Sequence, residues 1–177
     1  LILGGLFKLS NDLVPVPDLA ERWEITPDST VFTFYLRAGL QWSDGEPLTA
    51  ADVIFTMERA IDSRTGSILR GRLIGIEGAE AYSDQSADTV SGLVAVDEQT
   101  VQITLAKPDA AFMTSLGLFS GFSILPKHIL GEVPPEQLKE HEFSLAPTVG
   151  AGAYQFVTYE TDQYVELAAN RRLIASL

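Results

Sequence analysis

Residues 18–62 read DLAERWEITPDSTVFTFYLRAGLQWSDGEPLTAADVIFTMERAID. The stretch divides into strand, turn, strand, turn and capped helix. In Arg22–Thr26, Trp23 and Ile25 alternate with polar neighbours. In Val31–Arg37, Phe32, Phe34 and Leu36 fall on one face and Val31, Thr33, Tyr35 and Arg37 on the other. Alternation of aromatic and β-branched residues predicts half-buried strands. Pro27-Asp28-Ser29 joins them as a hairpin, with a preset φ and a side chain that caps its own turn. Ser43-Asp44-Gly45 marks the next turn. Thr49 then stands as N-cap, with Asp52 three positions on as a short-armed version of the capping box. Ile54, Met57 and Ile61, with Val53 and Ala60 beside them, form an apolar stripe that is expected to dock on the sheet.

Working outward, Leu1–Leu9 reads as a helix tail or a strand, and Pro15 and Pro17 make the next stretch extended. Residues 62–92 are irregular, with Arg64, Arg70 and Arg72 among four glycines, a short helix expected at Ile76–Tyr82 and a polar loop at Ser83–Gly92. Leu93–Val96 and Thr100–Leu105 predict a second hairpin across Asp97-Glu98-Gln99. Ala110–Leu116 is helix-like, Phe122–Leu125 reads as a short strand, and Pro135–Glu140 as a helix with Pro in its first turn. Tyr154–Tyr159 and Tyr164–Ala168 predict a third hairpin. Hairpins separated by helices give a mixed α/β class, α+β-like and mostly antiparallel, rather than repeated βαβ units.

Composition bounds the function. The chain has 177 residues, suited to one domain or two small subdomains, and 46% of them are hydrophobic, ample for a core. Twelve basic residues against twenty-four acidic ones leave a net charge of −12, which disfavours nucleic acid and anionic lipid as partners. The absence of cysteine excludes disulfides, thiolate metal sites and a Cys nucleophile. No apolar run approaches the roughly 18–20 residues of a membrane span, so direct membrane insertion is not expected. The chain opens inside an apolar segment without Met or a signal peptide, and is expected to be an excised piece of a longer protein.

Catalytic patterns are weak. His128 and His141 stand thirteen apart without HExxH spacing, and neither is expected to bind metal. Gly150-Ala151-Gly152-Ala153-Tyr154 lacks the phosphate-loop pattern and precedes a strand, so its glycines are expected to admit close approach of another segment. Gly117–Gly121 reads Gly-Leu-Phe-Ser-Gly, which misplaces the serine of a nucleophile elbow. Glu77 and Glu80, Asp84 and Asp88, and Asp97 and Glu98 are read as solvated carboxylates. The arginines near Gly66–Arg72 either grip a ligand carboxylate or balance local acid. Phe112, Phe119, Phe122, Tyr154 and Phe156 divide between core and a cleft wall.

The motifs Leu19-Ala20-Glu21-Arg22-Trp23, Phe32–Arg37 and Trp42–Val53 together resemble the family 5 extracellular solute-binding proteins, the oligopeptide, dipeptide and nickel receptors of ABC importers. Val96–Val101, Ile124-Leu125-Pro126-Lys127, and Val149–Tyr154 with Asn170 continue the resemblance in order over nearly the whole chain. It departs at Ala151 and Ala153, which replace a Thr and a Pro of the family pattern, and in the tail Arg171–Leu177, which lacks an expected aromatic pair.

The resemblance implies part of lobe I of a type II periplasmic-binding-protein-like fold. Residues 1–177 then form a fragment of the N-terminal lobe, with a smaller subdomain inserted at about 30–145 and the second lobe absent. It implies a non-enzymatic receptor outside the membrane, in the periplasm or lipid-anchored on the outer face. Such a receptor captures a small solute, an oligopeptide or dipeptide, for a membrane permease, without a cofactor or metal. A fragment alone is expected to keep little affinity. Ser67, Ile68, Leu69 and Tyr154 are the expected cleft-facing positions. Two other classes stay open: an exported hydrolase of sugars or peptides, and a protein-interaction module.

Overall fold

In the computed structural model, residues 2–117 and 122–170 are described. The centre is a four-stranded antiparallel sheet built from β3 (Ala20–Ile25), β4 (Val31–Leu36), β5 (Leu93–Ala95) and β6 (Thr100–Thr104), in the order β3-β4-β6-β5. Both hairpins predicted from the alternating pattern are present, and β4 joins them through pairs such as Phe34 with Val101. Two ribbons stand apart from this sheet. One pairs β1 (Phe7–Leu9) with β2 (Pro15–Pro17), and the other pairs β7 (Tyr154–Glu160) with β8 (Tyr164–Ala169).

The period-2 pattern of β4 is realised in packing. Phe32, Phe34 and Leu36 are buried, while Val31, Thr33 and Tyr35 are half-buried on the other face. Phe34 lies in an aromatic cluster, stacked on Phe7 at 6.1 Å and tilted against Trp23 at 6.5 Å, and Phe32 meets Phe112 at 5.0 Å. Edge strand β3 departs from the expectation of a half-buried apolar face. Trp23 is covered by Phe7, but Ile25, two residues further along the edge, is 45% exposed. A register shift between Ala20 and Arg22 adds a local irregularity.

Helix α1 (Ala50–Ile61) lies against β5 and β6 and buries Val53, Met57, Ala60 and Ile61. Ile54, placed on the stripe by the sequence, is only half-buried, so the contact face is rotated towards Val53 and Ala60. At its start the Thr49 N–H donates to the Asp52 carboxylate at 2.9 Å, the arm of the capping box expected from the acidic residue. The same carboxylate accepts the Lys127 N–H at 3.0 Å, which joins α1 to the start of α5 (Lys127–Leu130). Thr56, one turn on, accepts the Leu125 N–H at 2.9 Å.

The remaining helices are short: α2 (Arg70–Leu73), α3 (Ala79–Ser83), α4 (Phe112–Gly117) and α6 (Glu142–Leu145). Three expectations are corrected. The helix expected at Ile76–Tyr82 begins three residues later, because Gly78 adopts φ 78 and stands as its N-cap. Phe122–Leu125 is not a strand; Ser123 makes a single bridge to Gly5, and the Ile124 N–H bonds the Gly4 carbonyl at 2.8 Å. Pro135–Glu140 shrinks to a 3-10 turn at Pro135–Gln137. Among the described residues no helix is long and apolar enough to cross a membrane.

The glycine-rich run at 150–153 is a junction of three distant segments, in keeping with its expected role. The Ser43 N–H donates to the Gly150 carbonyl at 3.0 Å, the Gly152 N–H to the Ile2 carbonyl at 2.6 Å, and the Asn170 side chain to the Gly152 carbonyl at 2.9 Å. A Cβ on Gly150 would overlap the Ile2 carbonyl oxygen, so the close approach requires glycine there.

Candidate functional site

The end of α1 feeds a tight loop whose geometry starts at Asp62. Its buried carboxylate accepts the Arg64 N–H at 2.9 Å and the Arg64 guanidinium at 3.0 and 2.7 Å, a two-pronged clamp. The Thr65 hydroxyl donates to the Asp62 carbonyl at 2.8 Å. A 3-10 turn at Ser63–Thr65 follows and ends at Gly66 in the left-handed region, φ 58. Burial pushes the Asp62 carboxyl up, but the hydrogen bonds and charge of Arg64 outweigh it and hold the group below the ordinary carboxylate range. A carboxyl whose folded value is lowered stabilises the fold fully above the unfolded carboxylate value and loses that contribution as pH falls through the folded one. Asp62→Asn is therefore expected to flatten the acid limb of the stability profile, read by circular dichroism against pH. An unchanged acid limb would remove Asp62 from the groups that respond.

This loop forms one wall of a cavity of about 390 Å³. The opposite walls come from Thr56, Arg59 and Ala60 of α1, from Phe122 and Leu125, and from Leu138 and Lys139 after the Pro135 turn. The Lys139 ammonium donates to the Gly66 carbonyl at 3.0 Å and ties two walls together. Apolar walls with a few polar groups are the usual make-up of a small-molecule site. A larger cavity of about 850 Å³ lies beyond α2. It is rimmed by charges of both signs, among them Arg72, Lys107, Glu80 and Asp109, and its lining is more polar.

Three of the four expected cleft-facing residues meet in the smaller cavity. Ser67, Ile68 and Leu69 all line it, and Ile68, 81% exposed, is the most exposed large hydrophobic side chain among the described residues. Tyr154 does not line it; the residue sits on β7, 42% exposed. Phe122 and Phe112 are both buried in the core and line the smaller and the larger cavity respectively, and Phe156 belongs to the β7–β8 ribbon. Phe119, the serine of the Gly117–Gly121 run and the tail Arg171–Leu177 lie outside the described residues. Arg59, Leu138 and Lys139 carried no local signal in the sequence, because Lys139 reaches Gly66 from 73 positions away.

The arginine cluster near Gly66 does not converge on one ligand. Arg64 holds Asp62, Arg70 donates to the Ser83 hydroxyl at 2.6 Å, and Arg72 donates to the Ser115 carbonyl at 2.9 Å. The carboxylates Asp84 and Asp97 serve turns. Hydroxyl and backbone donors at Ser86 lower the Asp84 carboxyl, and the Gln99 N–H with the Thr100 hydroxyl lowers that of Asp97. His141 accepts the Phe143 N–H at the start of α6, and His128 pairs with Asp44 at 2.8 Å. Among the described residues no group of three or more His, Asp or Glu side chains gathers to hold a metal ion.

Comparison with known proteins gives this geometry a context. A family model described as "Bacterial extracellular solute-binding proteins, family 5 Middle" matches residues 14–172. A Brucella ovis protein named "Putative ABC transporter peptide-binding protein" is 37% identical over 155 residues, 88% of this chain and 26% of its own length. The "Probable deoxycholate-binding periplasmic protein YgiS" of Escherichia coli is 40% identical over 134 residues, 74% of this chain and 25% of its own length. The crystal structure of Haemophilus influenzae OppA in complex with the peptide RPPGFSPFR superposes with a TM-score of 0.82 at 26% identity, over 99% of this chain and 34% of that one. The chain thus spans about a quarter of the length of the curated relatives it matches.

Proposed function

The chain belongs to the bacterial extracellular solute-binding proteins of family 5, and from that premise we propose that the protein it comes from is the receptor of an ABC importer. In this reading the receptor works outside the cytoplasm, takes up a short peptide or a similar small solute, and delivers it to a membrane permease. Residues 1–177 are part of the N-terminal lobe, with about 30–145 as a smaller subdomain, and a second lobe completes the binding cleft. Ser67, Ile68 and Leu69 face the solute, and Tyr154 on the β7 ribbon is a separate contact.

The observation that carries the reading is the cavity beside Ser67–Leu69. It joins an apolar wall to a mouth where Ile68 stands exposed, which fits a surface completed by a ligand or a facing lobe. The relatives bear names of binding proteins and the matched structure is a complex with a peptide, so a hydrolase finds no support among them. Alone, half a cleft leaves polar contacts in water, where they are weak. Binding should therefore be tested on the full-length protein.

Isothermal titration with short peptides, a nickel chelate and a bile acid is expected to give saturable binding for at least one peptide. Silence from every class would end the receptor reading. In the same protein Ile68→Asp is expected to weaken that binding about tenfold or more, since a charge would then border an apolar wall. The melting temperature should stay where it was, because Ile68 carries little of the core. Undiminished affinity in Ile68→Asp would place the solute elsewhere.

A further inference from the structure

We propose that strand β5 is a docking edge for an extended, lysine- or arginine-bearing segment of a partner protein, which adds to the central sheet as a fifth strand; this goes beyond the receptor reading and does not rest on it. The sheet order β3-β4-β6-β5 leaves β5 at one margin. The Val96 N–H donates to the Thr100 carbonyl at 2.9 Å, and the Gly92 carbonyl accepts the Thr104 N–H at 2.8 Å, so Gly92, Val94 and Val96 face β6. Backbone groups alternate in direction along a strand, so those of Leu93 and Ala95 point away from the sheet. The Leu93 N–H turns back to the Val90 carbonyl at 3.0 Å. The Leu93 carbonyl and both backbone groups of Ala95 remain on the open side.

Sheet edges are normally blunted by a lysine, a proline or a bulge. The opposite margin follows that rule: β3 carries Arg22, paired with Glu24 at 2.6 Å, and a register irregularity beside it. Strand β5 has none of these devices. Its flanks are apolar instead. Val94 shares a row with Gln102 and Thr33, on the face away from buried Phe32 and Phe34, and Val94 and Val96 are 43% and 58% exposed. On the inner face α1 runs alongside β5. It is tied at Glu98, whose carbonyl accepts the Ala50 N–H at 2.8 Å, and at Glu58, which accepts the Val90 N–H. Ile54 lies between those ties and is only half-buried, and Ala95 is exposed. A strand laid beside Ala95 would cover Val94 and Val96 with the side chains of one of its faces.

Charge selects the partner. From Leu73 to Ala106 the chain has no Lys or Arg and six carboxylates, Glu77, Glu80, Asp84, Asp88, Asp97 and Glu98. All six residues are exposed, and none belongs to an ion pair among the described residues. Asp97 and Glu98 turn the chain at one end of β5. Glu77 stands at the other, its carbonyl accepting the Gly92 N–H at 2.8 Å. This field attracts a basic strand, repels an acidic one and opposes edge-to-edge pairing of two copies of the chain. In strand addition the main chain supplies the bonds and the flanking side chains supply the choice of partner. Neither β5 nor these carboxylates line the cavity beside Ser67.

The test uses the full-length protein and two blocked peptides, acetyl-Lys-Val-Lys-Val-Lys-Val-Lys-amide and its counterpart with Glu in place of every Lys. Calorimetric titration is expected to give a Kd at least about tenfold lower for the lysine peptide, with the gap narrowing as sodium chloride is raised. Adding that peptide should slow hydrogen exchange at the Ala95 amide. Ala95→Pro removes the outward N–H and no bond to β6, so the sheet should persist, which a melting curve checks. It is expected to weaken the lysine peptide about tenfold. Val96→Lys, a change at an exposed side chain, should weaken it too by setting a like charge on the edge, and it decides the matter if Ala95→Pro fails to fold. Silence from the lysine peptide, or equal Kd values for the two peptides, overturns the assignment. So does an affinity untouched by both variants, which places the peptide in another cleft. An Ala95 amide protected before any peptide is added means that the rest of the polypeptide covers the edge, and this also overturns it. Each of these results leaves the receptor reading as it stands, since that reading falls only if no solute binds.

Discussion

Replacing Phe34 by alanine is expected to lower the free energy of unfolding by about 4 kcal/mol, in the range for truncating a buried aromatic. Phe34 is fully buried on the central strand of the sheet and touches two other rings, Phe7 and Trp23. Those partners come from different elements, β1 and β3, so no single backbone shift can close the cavity. The loss should therefore exceed that of Ile25→Ala, a residue of similar size on the exposed end of β3. Urea denaturation checks both variants. A loss below about 1 kcal/mol for Phe34→Ala would mean that the core relaxes around the site, contrary to its packing density.

The second large effect is expected at Asp52. Its side chain is 5% exposed and accepts two backbone N–H groups, those of Thr49 and Lys127. Removing the acceptor in Asp52→Ala strands both donors near the buried junction of α1 and α5. A cost of about 3 kcal/mol follows from the strength of hydrogen bonds to charged groups and the penalty for unmet donors. Asp52→Asn keeps one oxygen and should lose less. Hydrogen exchange offers a sharper readout than a melting curve. The amides of Thr49 and Lys127 should lose protection in Asp52→Ala, while those of β4 and β6 change only with global stability. Retained protection at Lys127 would show that the two helices are joined by something other than this carboxylate.

Asp52 also illustrates how far a local reading goes. The sequence marks it as a capping residue by its distance of three from Thr49, and that bond is made. It does not mark the second bond, to a residue 75 positions away. The same holds at the candidate site. Ser67, Ile68 and Leu69 are named by a motif and meet in one cavity, but its cations and part of its apolar wall come from Arg59, Leu138 and Lys139. Tyr154, which the resemblance places with them, lies on the β7 ribbon and does not line that cavity. The arginine cluster looked like one feature in the chain and became three separate braces in space.

Residue pattern alone predicts the hairpins, the capped helix and the buried face of β4, and carries the family resemblance. Each of these depends on period, on turn chemistry or on an ordered set of motifs, which are local along the chain. Which face of α1 is buried, where the edge of β3 comes free, and that a cavity lies beside Ser67 are set only in the folded molecule. Those outcomes depend on which distant segments meet, and burial and hydrogen-bond balance are properties of that meeting rather than of any stretch of residues.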